Sequence, residues 1–179
     1  MTVEGARWEE LRASLGGELK LVLKEGRVRR FTVLANILRA LNLAPDPREG
    51  VPYDHLKALF QLEGGIAETK DLRFTSSTMK VGGVGKIDLN RMEVDMLLGV
   101  QPLRTVDKII NFLQLSKIPI LGHLLFGKEQ SLLVVSFRAK GPLHDPSVDP
   151  VPLESMQRGV FGIFRRILEL PAELFPGER

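Results

Sequence analysis

The stretch Met92-Glu93-Val94-Asp95-Met96-Leu97-Leu98-Gly99-Val100 decides the fold class. Met92, Val94, Met96, Leu98 and Val100 place an apolar side chain at every second position. Successive side chains of an extended chain point to opposite faces, so this is the pattern of a half-buried β-strand. The second face is not uniformly polar, because Leu97 and Gly99 lie on it. A sheet covered on both sides gives that pattern. So does a curved sheet whose concave side holds apolar ligand.

Working outward, the same period recurs on the N-terminal side. Leu56, Ala58, Phe60 and Leu62 alternate up to Gly64-Gly65, and Leu72 and Phe74 mark a strand ending at the polar turn Ser76-Ser77-Thr78. Met79, Val81, Ile87 and Leu89 follow, with Gly82-Gly83 and Gly85 inside the run. Glycines within a strand mark a bulge or a bend. A turn at 88–91 leads back to the deciding stretch. Consecutive strands joined by short turns make an antiparallel meander. Further out, Leu19, Leu21 and Leu23 alternate with Lys20, Val22 and Lys24 before a predicted turn at Glu25-Gly26, and Leu133, Val135, Phe137 and Ala139 form a last strand.

Helical periodicity flanks these strands. Trp8, Leu11 and Leu15 share a face that Gly16-Gly17 terminates, and Val33, Leu34, Ile37, Leu38 and Leu41 form a stripe after the N-cap candidate Thr32. Thr105 is placed to cap a helix carrying Val106, Ile109, Ile110 and Leu113. Residues 44–52, 116–128 and 141–152, rich in proline and glycine, read as connectors. A final helix runs over 153–170, closed by Pro171. The expected class is therefore α+β: an open, curved, groove-forming antiparallel sheet with several amphipathic helices. Residues 1–152 make the sheet domain with inserted helices, and 153–179 make the C-terminal amphipathic helix and tail.

Composition narrows the function. A chain of 179 residues is long enough to bury a core, and a net charge of +3 is too small to argue for nucleic acid. With 6% aromatic residues and no basic run interleaved with rings, a single-strand binding surface is not expected. There is no cysteine, which excludes thiolate metal sites, cysteine nucleophiles and disulfides. No run of apolar residues reaches the ~20 needed for a membrane-spanning helix. The first residues, Thr2-Val3-Glu4-Gly5, do not form a signal peptide, so the stretch is either soluble as written or the end of something longer.

A search for chemistry yields little. His55, His123 and His144 are scattered without partners at metal-ligand spacing, and Asp145 and Asp149 stand beside Pro146 and Pro150, where they shape turns. Ser76 and Ser77 lack the glycine frame of a nucleophile elbow. Gly82-Gly83-Val84-Gly85 lacks the Gly-Lys-Ser/Thr ending of a phosphate loop and precedes strand-like sequence. No catalytic residue, metal or cofactor is expected, and the chain reads as a non-enzyme.

The C-terminal helix carries the remaining signal. Met156, Val160, Ile163, Phe164 and Ile167 form a stripe widened by Phe161, with Arg158, Arg165 and Arg166 beside it. This suits either docking on the domain's own core or lying on a membrane surface. Gly159 and Gly162 each weaken the helix by up to ~1 kcal/mol, so it depends on whatever it docks against.

Read in order, several segments resemble the C-terminal region of bacterial AsmA-like proteins. Gly26-Arg27-Val28 followed by 31–43 is similar to that family's strand leading into a helix that ends in Leu-Asn. Val51-Pro52-Tyr53-Asp54-His55-Leu56 resembles its Pro-Phe-Asp-x-Leu pattern, and 60–66 its following hairpin. Val84-Gly85-Lys86-Ile87-Asp88-Leu89 resembles Gly-x-Gly-x-Ile-Asp-Leu, and Val100-Gln101-Pro102 the family's Val-x-Pro. Gly141 with Asp145-Pro146 and Val148 is similar to its closing motif. The resemblance spans roughly residues 17–170, and the nearest subgroup is the YhdP-like one.

That resemblance implies an envelope protein of Gram-negative bacteria, extended across the periplasm as a β-sheet groove that carries phospholipid. An inner-membrane anchor is expected on a longer parent and is absent from this stretch. The groove candidates are Leu19, Leu21, Leu23, Phe60, Leu62, Met92, Val94, Met96 and Leu98. The terminal helix, through Phe161, Phe164 and Ile167, is expected to plug the groove or touch a membrane. The implied partners are phospholipid, a membrane surface and other envelope proteins. The alternative is a periplasmic module for outer-membrane assembly that binds protein through an open sheet edge.

Overall fold

The computed structural model describes residues 10, 14–28, 33, 50–103, 125–127, 130–132, 134–151, 162–164 and 166, with backbone alone at 125–127 and 130–132. Seven strands make one sheet: β1 (Gly17–Val28), β2 (Val51–Glu63), β3 (Ile66–Thr75), β4 (Met79–Asp88), β5 (Glu93–Pro102), β8 (Val135–Pro142) and β9 (Ser147–Pro150). Their order is β1-β2-β3-β4-β5-β8-β9 and every neighbouring pair is antiparallel. Between β5 and β8, β6 (Leu125–Gly127) and β7 (Gln130–Leu132) pair as a separate two-stranded sheet.

Turn chemistry explains the meander. Gly64 and Gly65 both take positive φ, 56° and 78°, as the two-residue turn between β2 and β3 requires. At the next turn the Ser76 hydroxyl accepts from the amides of Thr78 and Met79 and donates to the Met79 carbonyl. Between β4 and β5 the Asp88 carboxylate accepts from the amides of Asn90 and Arg91 at 2.9 and 3.0 Å. The Asn90 side-chain amide then donates to the Gly64 carbonyl at 2.8 Å and ties two turns at one end of the sheet together.

One irregularity re-aims a strand. The register of β3 shifts against both neighbours, between Thr69 and Leu72 on the β4 side and opposite Lys57/Phe60 on the β2 side. An extra residue in β3 therefore bulges, which removes a ladder acceptor from β2. Asp71 supplies the replacement: its Oδ1 accepts from the Leu59 amide at 2.9 Å.

The expected α+β class is corrected by this architecture, which is almost entirely antiparallel sheet. Among the described residues no helix reaches seven residues, and helical backbone occurs at Glu10, Ser14, Val33, 162–164 and Arg166. Four stretches read as turn or connector belong wholly or in part to strands, and Val51-Pro52 from the first connector opens β2. Glu25-Gly26 lies inside β1, with Glu25 in the left-handed region at φ 46°. The pairing of Lys24 with His55 and Gly26 with Tyr53 on either side absorbs that kink, so local turn propensity yields to the ladder. Part of the apolar connector is β6, and the proline-rich one contains β9, where pairing to β8 organises a sequence with no periodicity of its own. The helices expected around 32–41 and 105–113 lie outside the described residues except Val33, which is buried in the core.

Candidate functional site

Cross-strand partners share a face, so the register assigns every strand residue to one side of the sheet. One row runs Leu19–Phe60–Thr69–Gly85–Met96–Ala139–Val148 across all seven strands. A second runs Leu23–Leu56–Phe74–Val81–Val100–Val135. A third contains Leu62, Ala67, Ile87 and Val94, and a fourth Leu72, Gly83, Leu98 and Phe137. Together they make one continuous apolar face. The main hydrophobic cluster lies on it, with Met79 and Val100 at 0% exposure, and Val33 packs into that cluster from outside the sheet.

Eight of the nine groove candidates fall on this face: Leu19, Leu21, Leu23, Phe60, Leu62, Val94, Met96 and Leu98. Met92 does not. It occupies the β4–β5 turn with φ 55°, exposed, and its carbonyl accepts from the Leu143 amide at 2.7 Å. Burial grades across the face. Phe60, Val94, Met96 and Leu98 are buried, Leu21 and Leu62 are half-buried, and Leu19 and Leu23 on β1 are 51% and 40% exposed. The apolar face is thus covered over its centre and open at its β1 end.

Glycines set its floor. A methyl group on Gly83 would lie 2.9 Å from Leu72 and 3.0 Å from Leu98, so these two side chains close over the gap from the flanking strands. Gly85, at φ 146°, has the Asp95 carbonyl 2.3 Å from where a Cβ would stand, and only glycine fits there. The two positions bring β3, β4 and β5 together on the apolar side. Leu56, Phe74, Val81, Val100 and Phe137 belong to the same face and were not among the candidates. Their alternation was legible, but the register that aligns them with the rest was not.

The opposite face is polar, with one apolar seat. Phe164 is 2% exposed and stacks over Gly99, where a Cβ would meet its ring at 3.2 Å. Val84, Leu97 and Ile163 complete this small cluster. Gly99 pairs with Gly82 and Val84 with Leu97, so the seat lies on the reverse side from the groove candidates. Phe164 therefore does not plug the apolar face. Ile163 and Phe164 pack here and Arg166 stays exposed, whereas Met156, Arg158, Val160, Phe161, Arg165 and Ile167 lie outside the described residues.

Charged and polar side chains make up most of the rest of the reverse face, with Val22 and Leu59 among them. Lys57 is buried beside its cross-strand partner Arg73. Burial pushes the Arg73 guanidinium below its ordinary value, with Asp71 acting upward and Arg166 downward. Arg138 makes a two-pronged bond to Asp95, at 2.9 and 2.8 Å, and this bond first of all holds the Asp95 carboxyl below the usual carboxylate range. His55 lies on this face and His144 in the β8–β9 turn, while His123 is outside the described residues. Among the described residues no group of three or more acidic or histidine side chains is placed to hold a metal ion.

Over residues 2–148 the sequence matches the model of the YhdP protein family. The chain belongs to that family. No curated protein and no solved structure matches it. Membership in the YhdP family points to a protein of the bacterial envelope. Among the described residues no helix is long and apolar enough to cross a membrane.

Proposed function

We propose that this YhdP family member is a non-enzymatic lipid-binding module that takes phospholipid acyl chains on the apolar face of its sheet. Its role is in phospholipid transport between the inner and outer membranes and in the integrity of the outer membrane. It works in the periplasm, facing phospholipid and membrane surfaces. The observation carrying this reading is the single apolar face formed across seven strands, open where Leu19 and Leu23 remain exposed on β1.

The energetics suit transfer. Burying about ten methylenes yields roughly 8 kcal/mol gross, from which association removes several kcal/mol, leaving reversible binding. Acyl chains rest against Leu19, Leu21 and Leu23 at the β1 end, where the face is open. Headgroups stay in water at the rim, where Glu18, Lys20 and Lys24 are exposed. Nothing in such a cycle calls for a nucleophile or a metal.

The test is native mass spectrometry with lipid extraction on the purified chain and on a Leu19→Glu, Leu23→Glu double variant. Phospholipid near one per chain in the parent, lost in a variant whose circular dichroism is unchanged, supports the reading. No lipid in a folded parent chain sinks it.

A further inference from the structure

Four strands set a row of polar side chains across one end of the reverse face. His55 on β2 pairs with Thr75 on β3, Thr75 with Lys80 on β4, and Lys80 with Gln101 on β5. All four are half-buried. Neighbouring strands lie about 5 Å apart, so a group resting over Thr75 and Lys80 is within reach of His55 on one side and Gln101 on the other.

Two of these side chains carry a polar atom that is buried and makes no hydrogen bond, Nδ1 of His55 and Oε1 of Gln101. Such atoms are few in a folded chain, and each calls for an explanation. Here they stand at the two ends of one row, with the Thr75 hydroxyl and the Lys80 ammonium between them.

The surrounding charge says what such a row attracts. The adjacent row sets Lys57 directly against Arg73 across β2 and β3. Both have contacts of their own within the fold, and their charges still add to the field at Lys80. Arg166 acts on Arg73 as a further like charge. Among the described residues neither row holds an acidic side chain. Asp71, which also acts on Arg73, is tied to the Leu59 amide and the Thr69 hydroxyl.

An anion is favoured at such a place, and the donors are of the kind a phosphate takes. The Lys80 ammonium, the Thr75 hydroxyl and the Nδ1–H tautomer of His55 all donate, and a half-turn of the Gln101 amide presents its NH2 group. We propose that His55, Thr75, Lys80 and Gln101 form a site for a phosphate group, on the face opposite the apolar rows. A phosphate there gives both buried atoms their explanation. The group could be carried by a phospholipid headgroup or by a soluble phosphate.

Titration of the full chain with inorganic phosphate, followed by phosphorus NMR at constant ionic strength, is expected to show saturable binding. Lys80→Gln is expected to raise the phosphate Kd about tenfold, with unchanged circular dichroism. Gln101→Glu sets a carboxylate beside Lys80 and is expected to abolish binding. Lys86→Gln removes the same charge from an exposed position on the same strand and face, and is expected to change the Kd less than about twofold. Association with phosphatidylglycerol vesicles that Lys80→Gln weakens and free phosphate competes away assigns the site to a headgroup. Phosphate binding with vesicle association untouched by Lys80→Gln assigns it to a soluble phosphate. No saturable binding in the folded parent overturns the inference, as does a loss in Lys86→Gln equal to that in Lys80→Gln. Lys80 lies on the face away from the leucines, so lipid copurified with the Lys80→Gln chain reports on the acyl-chain reading separately.

Discussion

The two faces of the sheet are built from the same strands and do different work. On the apolar face, rows of side chains run across strands from β1 to β9 and are buried through most of their length. On the reverse face, charges and hydroxyls surround one apolar seat filled by Phe164. The lesson is that the apolar face holds the sheet together, whereas the reverse face holds one segment against a finished sheet. Stability lost on the first is lost by the whole domain. Stability lost on the second is local.

The sharpest way to break that comparison is to truncate one aromatic on each face. Phe137→Ala, at 1% exposure in the centre of the main cluster, is expected to cost about 4 kcal/mol in urea unfolding. Phe164→Ala removes an equally buried ring and is expected to cost less, about 2 kcal/mol, as its neighbours are few and Gly99 offers no side chain to leave uncovered. Hydrogen exchange is expected to show protection lost at 162–164 while β4 and β5 stay protected. Equal cost and global loss of protection for Phe164→Ala would erase the distinction between the faces.

A smaller effect probes the bulge where the faces are brought into register. Asp71→Ala leaves the Leu59 amide without its acceptor and is expected to cost about 1–2 kcal/mol, with faster exchange at Leu59 as the local reporter. Unchanged exchange there would mean that water replaces the carboxylate and that the bulge needs no side chain.

The smallest effect belongs to the exposed pair on the reverse face. Arg138 depresses the Asp95 carboxyl, so the folded state favours the charged form. The stabilisation is present above the unfolded carboxylate pKa of about 4 and is lost as pH falls through the lower folded value. Asp95→Asn is therefore expected to cost about 0.5 kcal/mol near neutrality, with the difference from the parent closing in acid. A gap that persists at low pH would assign the loss to packing.

Much of this was legible in particular residues. Alternation at 56–62 and 92–100 fixed strands there, and Gly64-Gly65 and Ser76-Ser77-Thr78 marked their turns, because a strand's period and a turn's backbone demands are local properties. Eight of the nine groove candidates share a face because alternation already separates the two sides of each strand. Met92 stands apart because its apolar character extends the alternation one residue beyond the strand, into a turn where its φ is 55°.

What the sequence by itself determined is the strand content of residues 56–102, the absence of thiol chemistry and the apolar side of the alternating strands. These follow from single residues and from spacing along the chain. The tertiary structure decided the rest: that Glu25-Gly26 stays within a strand, that 147–150 joins the sheet, that Asp71 repairs a bulge, and that Phe164 seats on the face opposite the apolar rows. Each depends on a partner distant in sequence, supplied by a ladder or a glycine gap. Pairing across strands sets an energy that no local propensity contains.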